Sequence, residues 1–97
     1  MKKFDSLSQI REEIDKLDDE LVELIAKRSH LLRQVASFKN TIDEVKAQDR
    51  IDFILHRVRQ LAIAKEISPN LVSELFEFMI DRMSEVEIEE FRNRNAF

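Results

Sequence analysis

Apolar residues recur at three- and four-residue intervals along most of this chain. The first run holds Ile10, Ile14, Leu17, Leu21, Leu24, Leu31 or Leu32, Val35 and Phe38. That spacing marks an amphipathic helix. Ser6, followed three residues later by Gln9, has the form of a capping box, so the helix starts near Ser6 or Ser8. Nothing interrupts the pattern before Asn40 and Thr41, and it predicts a first helix over roughly residues 7–39.

A second run holds Ile51 or Phe53, Ile54, Leu55, Val58, Leu61 and Ala62, with Asp49 in front of it as an N-cap. It ends around Lys65 and Glu66. Ser68-Pro69 then restarts the chain, with serine as cap and proline at the first helical position. A third helix follows through Leu71, Val72, Leu75, Phe76, Met79, Ile80, Met83, Val86, Ile88 and Phe91, and the tail from Asn93 onward frays.

Composition strengthens this reading. The chain has 97 residues, no glycine and one proline, Pro69. Sheets and tight hairpins need residues that tolerate positive φ, and these are nearly absent. The fold class is therefore all-α, with three helices in one domain spanning 1–97. A helix over 7–39 is roughly 50 Å long, against a radius of gyration of about 13 Å for a compact domain of this size. Its own chain cannot cover it, yet its apolar stripe continues to Phe38. A second copy packing along it, in a C2 homodimer of intertwined helices, is the simplest closed solution.

Charge and residue types exclude several chemistries. The formal net charge is −4 and cysteine is absent. A nucleic-acid footprint is not expected. Disulfides, thiolate catalysis and cysteine-ligated metal are ruled out. His30 and His56 form no metal-binding spacing and receive no role, so a zinc site has little support. The start, MKKFDSLSQ, lacks the apolar core of a signal peptide, and no apolar run reaches membrane-spanning length. A cytoplasmic protein is the default.

Two cations interrupt the apolar stripe of the first helix. Arg28 stands four residues after Leu24 and Lys39 four after Val35, both where an apolar contact belongs. Eleven residues is close to three turns, so on a continuous helix they point the same way. A cation so placed costs several kcal/mol unless it is paired. Both can snorkel to water or meet Glu85, Glu87 or Glu89 of the third helix. Alternatively they hold the two ends of a small anion, since arginine grips carboxylates bidentately and lysine acts as a point charge. Arg11 opens the same stripe, roughly 25 Å from Arg28 along the axis, so only a partner's copy could reach that ligand. Arg50 opens the second helix. Taken singly, Arg11 and Arg50 also read as solvated surface charges. The acidic run Glu12, Glu13, Lys16, Asp18, Asp19, Glu20 reads as a solvated face, and Phe76, Phe78 and Met79 read as core or dimer contacts.

The segment IREEIDKLDDELVELIAKRSHLLRQVASFK, the triplet Asp49-Arg50-Ile51, and SELFEFMIDRMSEVE with an acidic residue eleven positions after Phe76 together resemble the all-helical chorismate mutase family. The resemblance covers nearly the whole chain. It implies a homodimer with two identical sites, each using Arg28, Lys39, Arg50 and Glu87 of one chain and Arg11 of the other. The implied reaction is the Claisen rearrangement of chorismate to prephenate, in aromatic amino acid biosynthesis, without metal, cofactor or covalent nucleophile. Arg11 and Arg28 would hold the substrate carboxylates. Lys39 would donate to the ether oxygen as the C–O bond breaks.

The chain departs from the bacterial mutases at three positions. Glu87 replaces a glutamine donor and helps only when protonated; burial favours that form, while the surrounding cations oppose it. Ile51 follows Arg50 where mutases often carry glutamate, and Met83 stands where a small hydroxyl residue can occur. The loop after Lys39 is also one residue shorter. An aliphatic residue after the arginine resembles the related isochorismate-pyruvate lyases, which release pyruvate and salicylate from isochorismate. That lyase, or a mutase of an amino analogue, is the alternative on the same scaffold. A non-catalytic helical dimerisation module is a third reading, and it leaves the interior cations unexplained.

Overall fold

The computed structural model describes residues 3–41, 44 and 47–95. Three long helices organise them: α1 (Leu7–Ala36), α2 (Gln48–Ala64) and α3 (Pro69–Arg94). No strand occurs among the described residues. No described helix is long and apolar enough to cross a membrane. The chain divides into two compact units, Met1–Leu31 and Leu32–Phe97.

The first unit is the body of α1. Its start follows the sequence signal: the Ser6 hydroxyl accepts the Gln9 N–H at 3.2 Å. The return arm of the box reaches one residue further back, with Gln9 Oε1 accepting the Asp5 N–H at 3.0 Å. Two of the four N–H groups that a helix start leaves open are commonly met this way. Glu13–Lys16 and Glu23–Lys27 pair on the surface at 3.4 and 3.9 Å, contacts that contribute little in water. The apolar stripe is exposed throughout, from 39% at Ile10 to 60% at Leu24.

The second unit contains the core. α2 and α3 form a helical hairpin and pack on each other. Val58 and Ala62, one turn apart, bury the inner face of α2; Ser73, Ile80, Met83 and Glu87 bury one face of α3. Ala36, at the end of α1, is also buried, at 1% exposure. Arg59 fixes the hairpin's register: its Nη1 donates to Asn70 Oδ1 at 3.0 Å and to Ser73 Oγ at 2.9 Å. Small Ala62 and Ser73 on facing helices permit close approach.

The turn between α2 and α3 explains how a chain without glycine reverses. The Ile67 N–H bonds the Ala62 carbonyl at 3.0 Å and the Glu66 N–H bonds that of Ile63 at 3.1 Å. This is a Schellman closure, which normally places glycine where Glu66 stands with φ 60°. Ser68 then caps α3 through the Leu71 N–H at 3.2 Å, with Pro69 beginning the helix, as the sequence predicts.

Two boundaries differ from expectation. α1 stops at Ala36, not Lys39. The N–H groups of Ser37, Phe38 and Lys39 bond the carbonyls three residues back, at 3.1, 2.9 and 3.3 Å, and the Ser37 hydroxyl donates to the Gln34 carbonyl at 2.6 Å. Three-residue bonds tighten the last turn and end the α-helical register. Phe38, the expected end of the apolar stripe, is 82% exposed. α2 starts at Gln48, so Asp49 lies in its first turn and does not cap it. There it still complements the helix dipole.

A left-handed residue with a Cβ costs about 1–2 kcal/mol, and glycine returns part of that gain to the unfolded chain. Glu66→Gly is therefore expected to raise Tm by about 2–6 °C at matched protein concentration. An unchanged or lower midpoint in a circular dichroism melt would show that Glu66 is not strained.

Candidate active site

Each candidate residue has a definite place on these elements. Arg11 lies in the second turn of α1 and is exposed; Arg28 lies on the same helix and is half-buried. Seventeen residues of helix separate them by roughly 25 Å, too far for one small ligand to touch both. That expectation stands on the continuity of α1.

Lys39 is placed differently from its sequence-based position. It follows the end of α1, so the three-turn register that aligned it with Arg28 does not reach it. A final bond from the Lys39 N–H to the Ala36 carbonyl ends the turn, and the chain bends at Asn40 and Thr41. Lys39 is half-buried nevertheless, between exposed Phe38 and exposed Asn40. Its orientation is thus set by the segment after the helix.

That segment carries a feature the sequence reading passed over. The Thr41 hydroxyl accepts the Glu44 N–H at 3.1 Å. The Glu44 carboxylate accepts the Asn40 N–H at 2.8 Å. It is a second capping box, with the same offset as Ser6 and Gln9, and it begins two residues after Lys39. Its signal was the T-x-x-E spacing, hidden because Asn40-Thr41 reads first as a helix breaker. The predicted loop between Lys39 and Arg50 includes residues 42, 43, 45 and 46, which lie outside the described residues.

Arg50 occupies the first turn of α2 and is exposed. A cation there opposes the helix dipole, a cost of about 0.3–1 kcal/mol at the surface. The guanidinium instead leans over the Phe53 ring, 5.2 Å from its centroid. Ile51, next in sequence, is half-buried.

Met83 and Glu87 sit one turn apart on the packed face of α3, and both are buried. Glu87 is 6% exposed, and it is the one buried ionisable side chain among the described residues. No buried side-chain nitrogen or oxygen there lacks a hydrogen-bond partner. A carboxyl on such a face is costly unless it is paired or neutral.

Other polar features fit a ligand site less well. The shallow depression beside Asp19, Glu20, Glu23, Leu24 and Lys27 lies on α1 alone and is mostly acidic. His30 and His56 are exposed. Among the described residues, no three histidine or carboxylate side chains converge as metal ligands. Phe78 is exposed and stacks under Arg82 at 5.3 Å, while Phe76 and Met79 are half-buried.

The residue set is rich in cations and poor in nucleophiles. Arginine and lysine recognise carboxylates and stabilise developing negative charge. A buried carboxyl adds a donor when protonated and an acceptor when ionised.

Comparison with known proteins shows the family. The chorismate mutase type II family model matches residues 10–88. A chorismate mutase from Methanocaldococcus jannaschii is 28% identical over 96 residues, covering 95% of this chain and 97% of that protein. The match contains every candidate residue from Arg11 to Glu87, and the chain belongs to the chorismate mutase type II family, as an enzyme of the isomerase class.

Proposed function

We propose that the chain rearranges chorismate to prephenate by electrostatic stabilisation in a cationic pocket completed by a second copy. The observation that carries this reading is the family match over 10–88, which holds Arg11, Arg28, Lys39, Arg50 and Glu87 in one frame. Residues 1–97 act as one functional domain.

The reaction is intramolecular. One C–O bond breaks, one C–C bond forms, and no proton or electron leaves the substrate. The enolpyruvyl arm must first fold over the ring. Arg28 and the partner copy's Arg11 hold the two carboxylates in that conformer, removing the entropy of a flexible arm from the barrier. Lys39 donates to the ether oxygen as it gains negative charge. Arg50, steadied by Phe53, closes the pocket over the carboxylates. Ile51 and Met83 line the ring.

The exposed stripe from Ile10 to Leu24 supports the dimer. A contiguous apolar face of that length on a monomer favours association. A homodimer also answers the 25 Å gap between Arg11 and Arg28, because the partner brings its Arg11 from the other end.

Glu87 is the second donor to the ether oxygen and acts in its protonated form. A carboxylate at that place would repel the charge that develops there. Its burial supports the neutral form.

The lyase reading is supported by residue type at two positions: Ile51, half-buried, and Met83, buried, stand where mutases often carry glutamate and can carry a small hydroxyl residue. Chorismate consumption followed in the ultraviolet, against salicylate fluorescence from isochorismate, separates the two. We expect turnover of chorismate; salicylate formation alone reassigns the enzyme to the lyase.

In the mutase assay, Lys39→Ala is expected to lower kcat about 10²–10³-fold, and Arg28→Ala to lower kcat/KM comparably, each with helical circular dichroism intact. A variant that gains stability and keeps its rate identifies that cation as structural.

The Glu87 assignment predicts a rate that falls as pH rises, because the active acid form is lost above its pKa. Glu87→Gln removes the titration and flattens the profile. A level wild-type profile from about pH 4 to 9 excludes the role.

Arg11 donation is tested by mixing inactive Arg11→Ala and Arg28→Ala proteins and allowing subunits to exchange. Hybrid dimers regain one intact site, so activity recovers to about a quarter of wild type. No recovery after demonstrated exchange overturns the donation of Arg11 by the second copy.

A further inference from the structure

Lys39 alone among the candidate residues lies outside the three long helices. A donor that stabilises a transition state must be held in place before the reaction, or its reorganisation adds to the barrier. A lysine side chain has several free torsions, and a loose backbone beneath it would compound the loss. The structure restrains that backbone from both sides. On one side, three successive three-residue hydrogen bonds close α1, the last from the Lys39 N–H itself, and buried Ala36 anchors the turn. On the other, the Glu44 carboxylate takes the Asn40 N–H at 2.8 Å, and Thr41 Oγ1 takes the Glu44 N–H at 3.1 Å.

We propose that Glu44, locked by Thr41, is a positioning residue for Lys39: it clamps the peptide that follows the lysine and so aims the ammonium group at the breaking C–O bond. The inference rests on the assignment of Lys39 in the proposed function. A charge-assisted bond from a backbone N–H to a carboxylate is short and roughly twice as strong as a neutral one. It is also directional, and it fixes the Asn40 N–H plane and with it the ψ angle of Lys39. The clamp is exposed, so its net effect on global stability is small, whereas a displacement of about 1 Å at a catalytic donor can cost 10²-fold in rate. Glu44 itself need not touch the substrate.

The test is a double-mutant cycle on the full-length dimer, with kcat, KM and thermal midpoint measured for each protein. Glu44→Ala is expected to lower kcat about 10- to 100-fold with little change in KM or in the midpoint. Glu44→Gln keeps a carbonyl acceptor and recovers most of the rate. Thr41→Val lowers kcat in the same direction and Thr41→Ser restores it, which gives an independent route if Glu44→Ala folds poorly. The decisive readout is the Lys39→Ala background, where Glu44→Ala should cost nothing further. Equal losses in both backgrounds, or a loss in kcat that tracks a lowered midpoint, overturns the positioning role alone. A Lys39→Ala enzyme as fast as wild type overturns the functional reading, and the inference falls with it.

Discussion

A carboxyl group on the packed face of a helix constrains everything around it. Glu87 shares its face of α3 with Ser73, Ile80 and Met83, and it is as buried as Ile80. Leucine in its place would add apolar burial without a desolvation penalty. The fold accepts that cost, and no buried side-chain polar atom among the described residues is left without a hydrogen bond. The same holds in milder form for half-buried Arg28 on α1. Ionisable groups held on otherwise apolar faces give a fixed local field.

The scaffold suits such a field because it is nearly all helix. Charges on helices keep their spacing, and the absence of glycine removes the usual sources of slack. Where the chain must turn, it uses side chains in place of glycine's freedom. Ser6 and Gln9 open α1, Ser68 and Pro69 open α3, and Glu66 adopts a left-handed conformation to close α2. The segment after Ala36 follows the same logic with Thr41 and Glu44. It carries Lys39, which lies outside the three long helices.

Much of this was legible from local pattern, and the failures were local too. Ser6, Ser68 and Pro69 mark helix starts because a cap acts within one turn of itself. The end of α1 was read three residues late because Val35, Phe38 and Lys39 keep helical spacing after the hydrogen bonds have changed. Periodicity reports where apolar residues fall, and it is blind to a tightened last turn. The third helix offered ten apolar positions, more than one face can hold. Leu71, Leu75 and Phe78 proved exposed while Ser73 and Glu87 proved buried.

The sequence by itself determined the helical class, the order of the three long helices, the caps of the first and third, and the family, because each depends on residues a few positions apart or on their arrangement along the chain. Tertiary structure decided which face of α3 turned inward, and that Ser73 and Glu87 share that face with Ile80 and Met83. Those outcomes depend on packing and hydrogen bonding between neighbours that no periodic pattern encodes.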